Sequence, residues 1–289
     1  MLSESEIKEA VIWACEQEVN APKPGNVNRF SDGHNMVVDD FIRSAHAIAP
    51  AMAKPGLSVG ERILAAITAT RNVVSCNTNL GIVLLFAPLC TAAAQCDSFE
   101  QLQPALETIL SDLSIEDAEL CYRAIRMAEA GGLGKTENQD ISQRPTITLL
   151  EAMDLAKNRD QIALQYVSNF KDIWQLGLPA LTSSVNSGES VEWATAFAYL
   201  KLLSDAPDSL ISRKQSVELA KAVTARAKQF VFEMNKNSRL DTSLTKLAAW
   251  DNELKQKAIN PGTTADLVAA TLLLFAFQKQ LSLHRISVP

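Results

Sequence analysis

Three residue types that do proton and phosphate chemistry, Glu18, Lys23 and His34, fall on a stretch that cannot be helical throughout. Ala21-Pro22-Lys23-Pro24-Gly25-Asn26-Val27-Asn28-Arg29-Phe30 holds two prolines and a glycine, which break helix geometry. Asp32-Gly33-His34-Asn35-Met36 closes the loop, so an acid, an imidazole and several amides crowd into it, or else it is an ordinary surface loop. Glu18 prolongs the apolar stripe Ile7, Ala10, Val11 and Ala14 of a helix expected from about Ser3 to Val19. Its carboxylate is therefore aimed inward, which costs free energy unless the group is paired or liganding something. The other reading is a frayed helix end with Glu18 in water.

A second candidate is the turn Asn77-Thr78-Asn79-Leu80-Gly81. Ahead of it, Ser58 and Glu61 form a capping box, and Ile63, Ala66, Ile67, Thr70 and Val74 recur at helical spacing. Behind it, the run from Gly81 to Ala94 has no charge, which predicts a helix buried on every side. A polar turn opening a buried helix offers unpaired N–H groups and the positive dipole end, a receptor for phosphate. Gly81 would let a ligand come close to the backbone. Equally, Thr78 or Asn79 could simply cap the helix. Ile259-Asn260-Pro261-Gly262-Thr263-Thr264-Ala265-Asp266 repeats the arrangement ahead of Leu267 to Phe277, and there Asp266 either serves a ligand or favours the dipole.

Ser204-Asp205-Ala206-Pro207-Asp208-Ser209-Leu210-Ile211-Ser212-Arg213-Lys214 sets two carboxylates beside a hydroxyl and then two cations. Asp205 and Asp208 could hold Mg²⁺ with phosphates beside Arg213 and Lys214, or all four could be solvated helix caps. Gly131 to Pro145 fits neither a Walker loop nor a dinucleotide-binding turn. It reads as a lid carrying Lys135, Glu137, Asp140 and Arg144, or as an ordinary connection.

The elements that must position these groups are helices. Phe41, Ala45, Ile48 and Met52 stripe one, with Ser44 beside the stripe and His46 on the surface. Others are expected near 99–112, near 115–130 (stopped by Gly131-Gly132), from Thr148 through Arg159-Asp160 towards Phe170, and over 190–204, 215–235 and 241–258. Strand and hairpin signals are almost absent. The expected fold is all-α, one compact domain over residues 1–289 with roughly ten to twelve helices at ordinary helix lengths.

Composition narrows the function classes. The chain has 289 residues, 47% apolar and 21% charged, with net charge −6 and a pI near 5.2. An acidic globule of this kind argues against nucleic-acid and anionic-membrane partners, but a local basic cluster could still hold an anionic small molecule. The five cysteines, Cys15, Cys76, Cys90, Cys96 and Cys121, include no C-x-x-C pair and read as reduced thiols of a cytoplasmic protein. The apolar runs around 80–94 and 265–278 fall short of the roughly 20 residues of a spanning helix, and Pro88 interrupts the first. Oligomeric state is left open, a homo-oligomer included.

Taken together and in order, these segments resemble the triphosphoribosyl-dephospho-coenzyme-A synthase family. The resemblance runs through Glu18-Val19, Pro22-Lys23-Pro24-Gly25-Asn26-Val27, Gly33-His34-Asn35-Met36 and Phe41-Ile42-Arg43-Ser44-Ala45-His46-Ala47-Ile48-Ala49-Pro50. It continues through Asn77-Thr78-Asn79-Leu80-Gly81 and Asn260-Pro261-Gly262-Thr263-Thr264-Ala265-Asp266-Leu267. It implies an all-helical enzyme that moves the triphosphoribosyl unit of ATP to the 2′-hydroxyl of 3′-dephospho-coenzyme A with Mg²⁺ and releases adenine. By the same resemblance Lys23 and the 77–81 turn cradle phosphates. Gly25, Asn26, Ser44, Ser209, Arg213, Lys214 and Asp266 complete the nucleotide-binding set. His34, Glu18, Asp205 or Asp208 takes the proton or binds the metal. The family's Asn-Thr-His-Lys-Gly motif has Asn79 and Leu80 for its His and Lys, and Asn35 stands where the family has Asp. With Arg159-Asp160-Gln161-Ile162-Ala163, this resembles a divergent branch from archaea and one-carbon-metabolising bacteria. A paralogue acting on another phosphorylated precursor in pterin-linked one-carbon metabolism, or a nucleotide-binding protein without turnover, therefore stays open.

Overall fold

The computed structural model describes residues 1–129, 131, 138–236 and 240–286. Among them the chain runs through α1 (Glu4–Asn20), α2 (Val38–Ala53), α3 (Val59–Val73), α4 (Leu80–Ala93), α5 (Phe99–Ser111), α6 (Ile115–Ala128), α7 (Leu149–Ala156) and α8 (Gln161–Val167). A π turn (Ile173–Gly177) then leads into α9 (Leu178–Asn186), α10 (Val191–Asp205), α11 (Ser209–Lys214), α12 (Val217–Lys236), α13 (Leu240–Gln256) and α14 (Gly262–Ile286). No strand forms among the described residues, only isolated bridges Asn28–Ser31 and Gly33–Met36 inside the first loop. The expected all-α class holds.

Local chemistry sets most helix starts. Ser58 with Glu61 and Thr148 with Glu151 form the expected capping boxes, and Ser3 with Glu6 and Ser114 with Asp117 form two more. The helices number fourteen among the described residues, more than the ten to twelve expected. One reason is visible at Asp160: its Oδ1 accepts from the Ile162 and Ala163 N–H groups and restarts the chain as α8, so the helix begun at Thr148 ends at Ala156. The helix expected to stop at Gly131-Gly132 ends earlier, at Ala128, with Glu129 in the left-handed region (φ 52°). Gly132, Lys135 and Glu137 lie outside the described residues.

α4 and α14 form the centre. All of α4 except Thr91 is buried, as its lack of charge requires. α14 packs on α1, α4, α9, α10 and the π turn. Its apolar run is not the short one the sequence suggests, because the polar residues on either side stay helical. Gly262–Leu283 is by length and composition able to cross a bilayer, yet 67% of its most apolar window is buried against the rest of the fold. Most of the buried apolar residues from Leu2 to Leu281 form one contiguous cluster.

Candidate active site

The non-helical loop after α1 is tied down from several directions. Lys23 is 1% exposed, and its ammonium donates to Glu18 Oε1, to Asn26 Oδ1 at 2.8 Å and to the Val27 carbonyl at 3.0 Å. All three of its protons are thus used inside the protein. Tyr199 of α10 donates to the Pro24 carbonyl at 2.8 Å, and Lys255 of α13 donates to the Ser31 carbonyl at 2.7 Å. Gly25 has φ +84°, and its N–H donates to Asp251 Oδ1 at 2.8 Å. A Cβ on Gly25 would sit 2.8 Å from Pro261 Cδ, so this glycine lets the loop press against the turn before α14. Asn26 Nδ2 completes the junction by donating to Asn260 Oδ1 at 2.9 Å.

The junction opens on a cavity of about 580 Å³. Glu18, Asn26 and His34 reach it from the first loop, and the whole 77–81 turn forms part of its wall. Arg159 and Asp160 come from the α7–α8 connection, Arg213 and Lys214 from α11, and Asn260, Thr263 and Asp266 from the start of α14. His34 and Asn35 both take left-handed backbone, φ 57° and 60°. His34 Nε2 lies 2.8 Å from the Gly25 carbonyl, so Nε2 donates and Nδ1 is left as the acceptor in the neutral ring.

The electrostatics differ from group to group. Burial raises the Glu18 carboxyl and lowers the Lys23 ammonium from their ordinary values, and their mutual attraction offsets part of both shifts. Asp160 is ion-paired with Arg213, whose buried Nε has no partner. Asp266 has neither hydrogen bond nor ion pair among the described residues. Burial pushes its carboxyl well above the usual range, and Glu18, Asp208 and Asp160 push the same way, with Arg213 opposing.

Several expected site residues sit elsewhere. Lys23 is spent on the loop and does not line the cavity; nor do Gly25, Ser44, Ser209, Asp205 and Asp208. Ser44 donates to the Asp40 carbonyl at 2.6 Å, and Thr78 donates to Ser44 Oγ at 2.6 Å. Ser209 bridges Gln161 and Thr263. Asp208 is fully buried, accepting from Leu210 N, Ile211 N, Thr264 N and Thr264 Oγ1, so its oxygens cap α11 and α14. Asp205 is exposed at the end of α10. The two carboxylates expected to hold Mg²⁺ thus lie outside the cavity, one in solvent and one spent on helix caps, and among the described residues no cluster of three His, Cys, Asp or Glu side chains is present.

The 77–81 turn also works differently from the expectation. Asn79 stands at the N-cap of α4 but its side chain makes no capping hydrogen bond; instead Asn77 Oδ1 accepts from Leu80 N at 3.1 Å. Asn79 turns back onto Thr70 of α3. Gly81 admits the Asp266 carboxylate: a Cβ there would lie 2.1 Å from Asp266 Oδ2.

Arg159, Asp160 and Asn260 are cavity residues that sequence reasoning passed over as site candidates. For the first two, the available signal was Asp160, a helix-capping residue type inside a stretch read as one helix from Thr148 towards Phe170.

The family model described as ATP:dephospho-CoA triphosphoribosyl transferase (CitG) matches residues 4–285. The chain belongs to that family. A curated relative of the CitG family, from Pectobacterium carotovorum, is 25% identical over 94% of this chain and 89% of its own length. It is named a probable 2-(5″-triphosphoribosyl)-3′-dephosphocoenzyme-A synthase. A crystal structure from Archaeoglobus fulgidus, named provisionally as a triphosphoribosyl-dephospho-CoA synthase, superimposes with a TM-score of 0.64 at 28% identity. It covers 81% of this chain and 97% of its own. The CitG family is a family of transferases, and the resemblance read from the ordered segments holds.

Proposed function

We propose that the protein transfers the 5′-triphosphoribosyl group of ATP to the 2′-hydroxyl of 3′-dephospho-CoA and releases adenine. One observation carries this reading: a single cavity gathers cations from the α7–α8 connection and α11 together with carboxylates from α1 and α14. The reaction needs both. A triphosphate requires cations, supplied by Arg159, Arg213 and Lys214. Displacing adenine from C1′ builds positive charge on the ribose, which carboxylates fixed in a shielded site stabilise. The cavity-lining amides of Asn26 and Asn260, bonded to one another, would orient the sugar hydroxyls with their remaining N–H groups.

Mg²⁺ would enter with the triphosphate, whose oxygens and water would supply most of its ligands; among the described residues no cluster of three His, Cys, Asp or Glu side chains stands ready for it. The cysteines favour a reducing compartment such as the cytoplasm, and the expected partners are small nucleotides.

The test is free adenine, measured chromatographically with ATP, Mg²⁺ and 3′-dephospho-CoA together and with each omitted in turn. Adenine that forms only in the complete mixture, beside a product heavier by the triphosphoribosyl mass, supports the reaction. ATP binding without adenine would sink it and direct attention to another acceptor or to binding without turnover.

A further inference from the structure

Two carboxylates of the cavity, Glu18 and Asp266, repel one another, yet only one of them has a cation bound to it. Glu18 is 2% exposed and held by the Lys23 ammonium, which is itself fixed by Asn26 and Val27. Its proton affinity is opposed at contact distance, and its position does not depend on substrate. Asp266 lies on the second turn of α14 with one oxygen against Gly81 of α4 and no donor among the described residues. A carboxylate without a donor in a shielded cavity is free to accept a proton from a ligand. Pairs of acids whose surroundings differ in this way divide the acid–base and electrostatic roles between them.

We infer that Asp266 is the base that takes the proton of the attacking hydroxyl, and that Glu18 stays a carboxylate facing the charge that develops on the ribose. The inference rests on the reaction proposed above. In that reaction the acceptor 2′-oxygen forms a bond to C1′ of ATP. The C1′–N9 bond breaks and its electron pair leaves with adenine. The hydroxyl proton passes to Asp266 and then, through water, to a ring nitrogen of adenine, so no other reactant is needed. The groups acting on Asp266 are Glu18, Asp208 and Asp160, which favour its protonated form, and Arg213 and Lys23, which oppose it. A base poised in this way works closer to neutral pH than an ordinary aspartate would.

The experiment compares wild type, Asp266→Asn and Glu18→Gln for adenine release from pH 5 to 9, with ATP affinity measured by calorimetry. The Asp266→Asn enzyme is expected to bind ATP and to lose about 10²–10⁴-fold in kcat, the usual worth of a positioned base, together with the acidic limb of the pH profile. Glu18→Gln is expected to lower kcat and keep that limb. Asp266→Ala guards against a misfolded Asn variant. Formate entering the space beside Gly81 should restore part of its rate, which a merely structural aspartate would not allow. Wild-type kcat with the acidic limb in place in Asp266→Asn, loss of ATP binding in that variant, or no formate response in a folded Asp266→Ala each overturns the assignment. A wild-type enzyme that releases no adenine overturns the reaction and the assignment together, so the two failures are told apart.

Discussion

Gly81, near the start of α4, and Asp266, on the second turn of α14, are pressed together so closely that the glycine's missing side chain is the space the carboxylate occupies. A Cβ at Gly81 would also fall 2.6 Å from Ile162 Cδ1. The contact brings α4, α8 and α14 to one point on the cavity wall. It also puts a negative group where the α4 dipole is positive.

Gly81→Ala therefore has two expected effects. Overpacking costs about 1–3 kcal/mol, read as a lower urea midpoint. The displaced carboxylate also lowers adenine release more than it lowers ATP affinity. A variant as stable and active as wild type would mean that the close contact between α4 and α14 has no consequence.

Lys23 is expected to be a stability residue. Lys23→Met leaves Glu18 buried without its cation and strands two further acceptors, Asn26 Oδ1 and the Val27 carbonyl. Breaking a buried pair from one side costs about 3–5 kcal/mol, so the denaturation midpoint should fall sharply. The double variant Lys23→Met/Glu18→Gln should be less destabilised than Lys23→Met alone, because no charge is then left unpaired.

Asp117 governs part of the acid sensitivity. Burial alone would raise its carboxyl, but hydrogen bonds from Ser114, Gly60 and Ser58 outweigh that and hold it below the ordinary value. Its folded pKa is thus below its unfolded one. The stability it contributes is complete above roughly pH 4, the ordinary aspartate range, and is lost as pH falls through the folded value. Asp117→Asn should cost about 1–3 kcal/mol near neutral pH. The gap to wild type should then close in titrations below pH 4; a gap independent of pH would contradict the ionised role.

Lys214 has no partner among the described residues and faces the cavity next to Gly131. Lys214→Ala should weaken ATP binding by about tenfold, the loss of one charge-assisted contact. It should also reduce the salt dependence of that binding while leaving the melting temperature unchanged. Arg213→Met should weaken binding and also destabilise, since it releases Asp160 from its ion pair.

Asp205→Asn should leave both the rate and its dependence on Mg²⁺ concentration as in wild type, because the side chain points to solvent at the end of α10. A shifted Mg²⁺ optimum in this variant would restore the metal-binding role that the geometry takes away.

What the sequence by itself determined is the local part of this protein. The all-helical class and the capping boxes at Ser58 and Thr148 follow from apolar spacing and from side-chain bonds three or four residues long. So does the buried character of α4, whereas for Glu18 spacing left a buried and a solvated position open. The ordered motifs likewise identified the family. Tertiary structure alone decided which polar groups face the cavity. Lys23 looks like a phosphate ligand until its three protons are seen to be taken, and Asp208 looks like a metal ligand until Thr264, 56 residues away, is seen to fill it. Asp160 finds Arg213 across 53 residues, and Gly81 finds Asp266 only because α4 and α14 pack side by side. Helix formation is a near-neighbour property, readable from spacing. The desolvation and pairing that divide structural from chemical residues depend on which helices meet, which spacing does not encode.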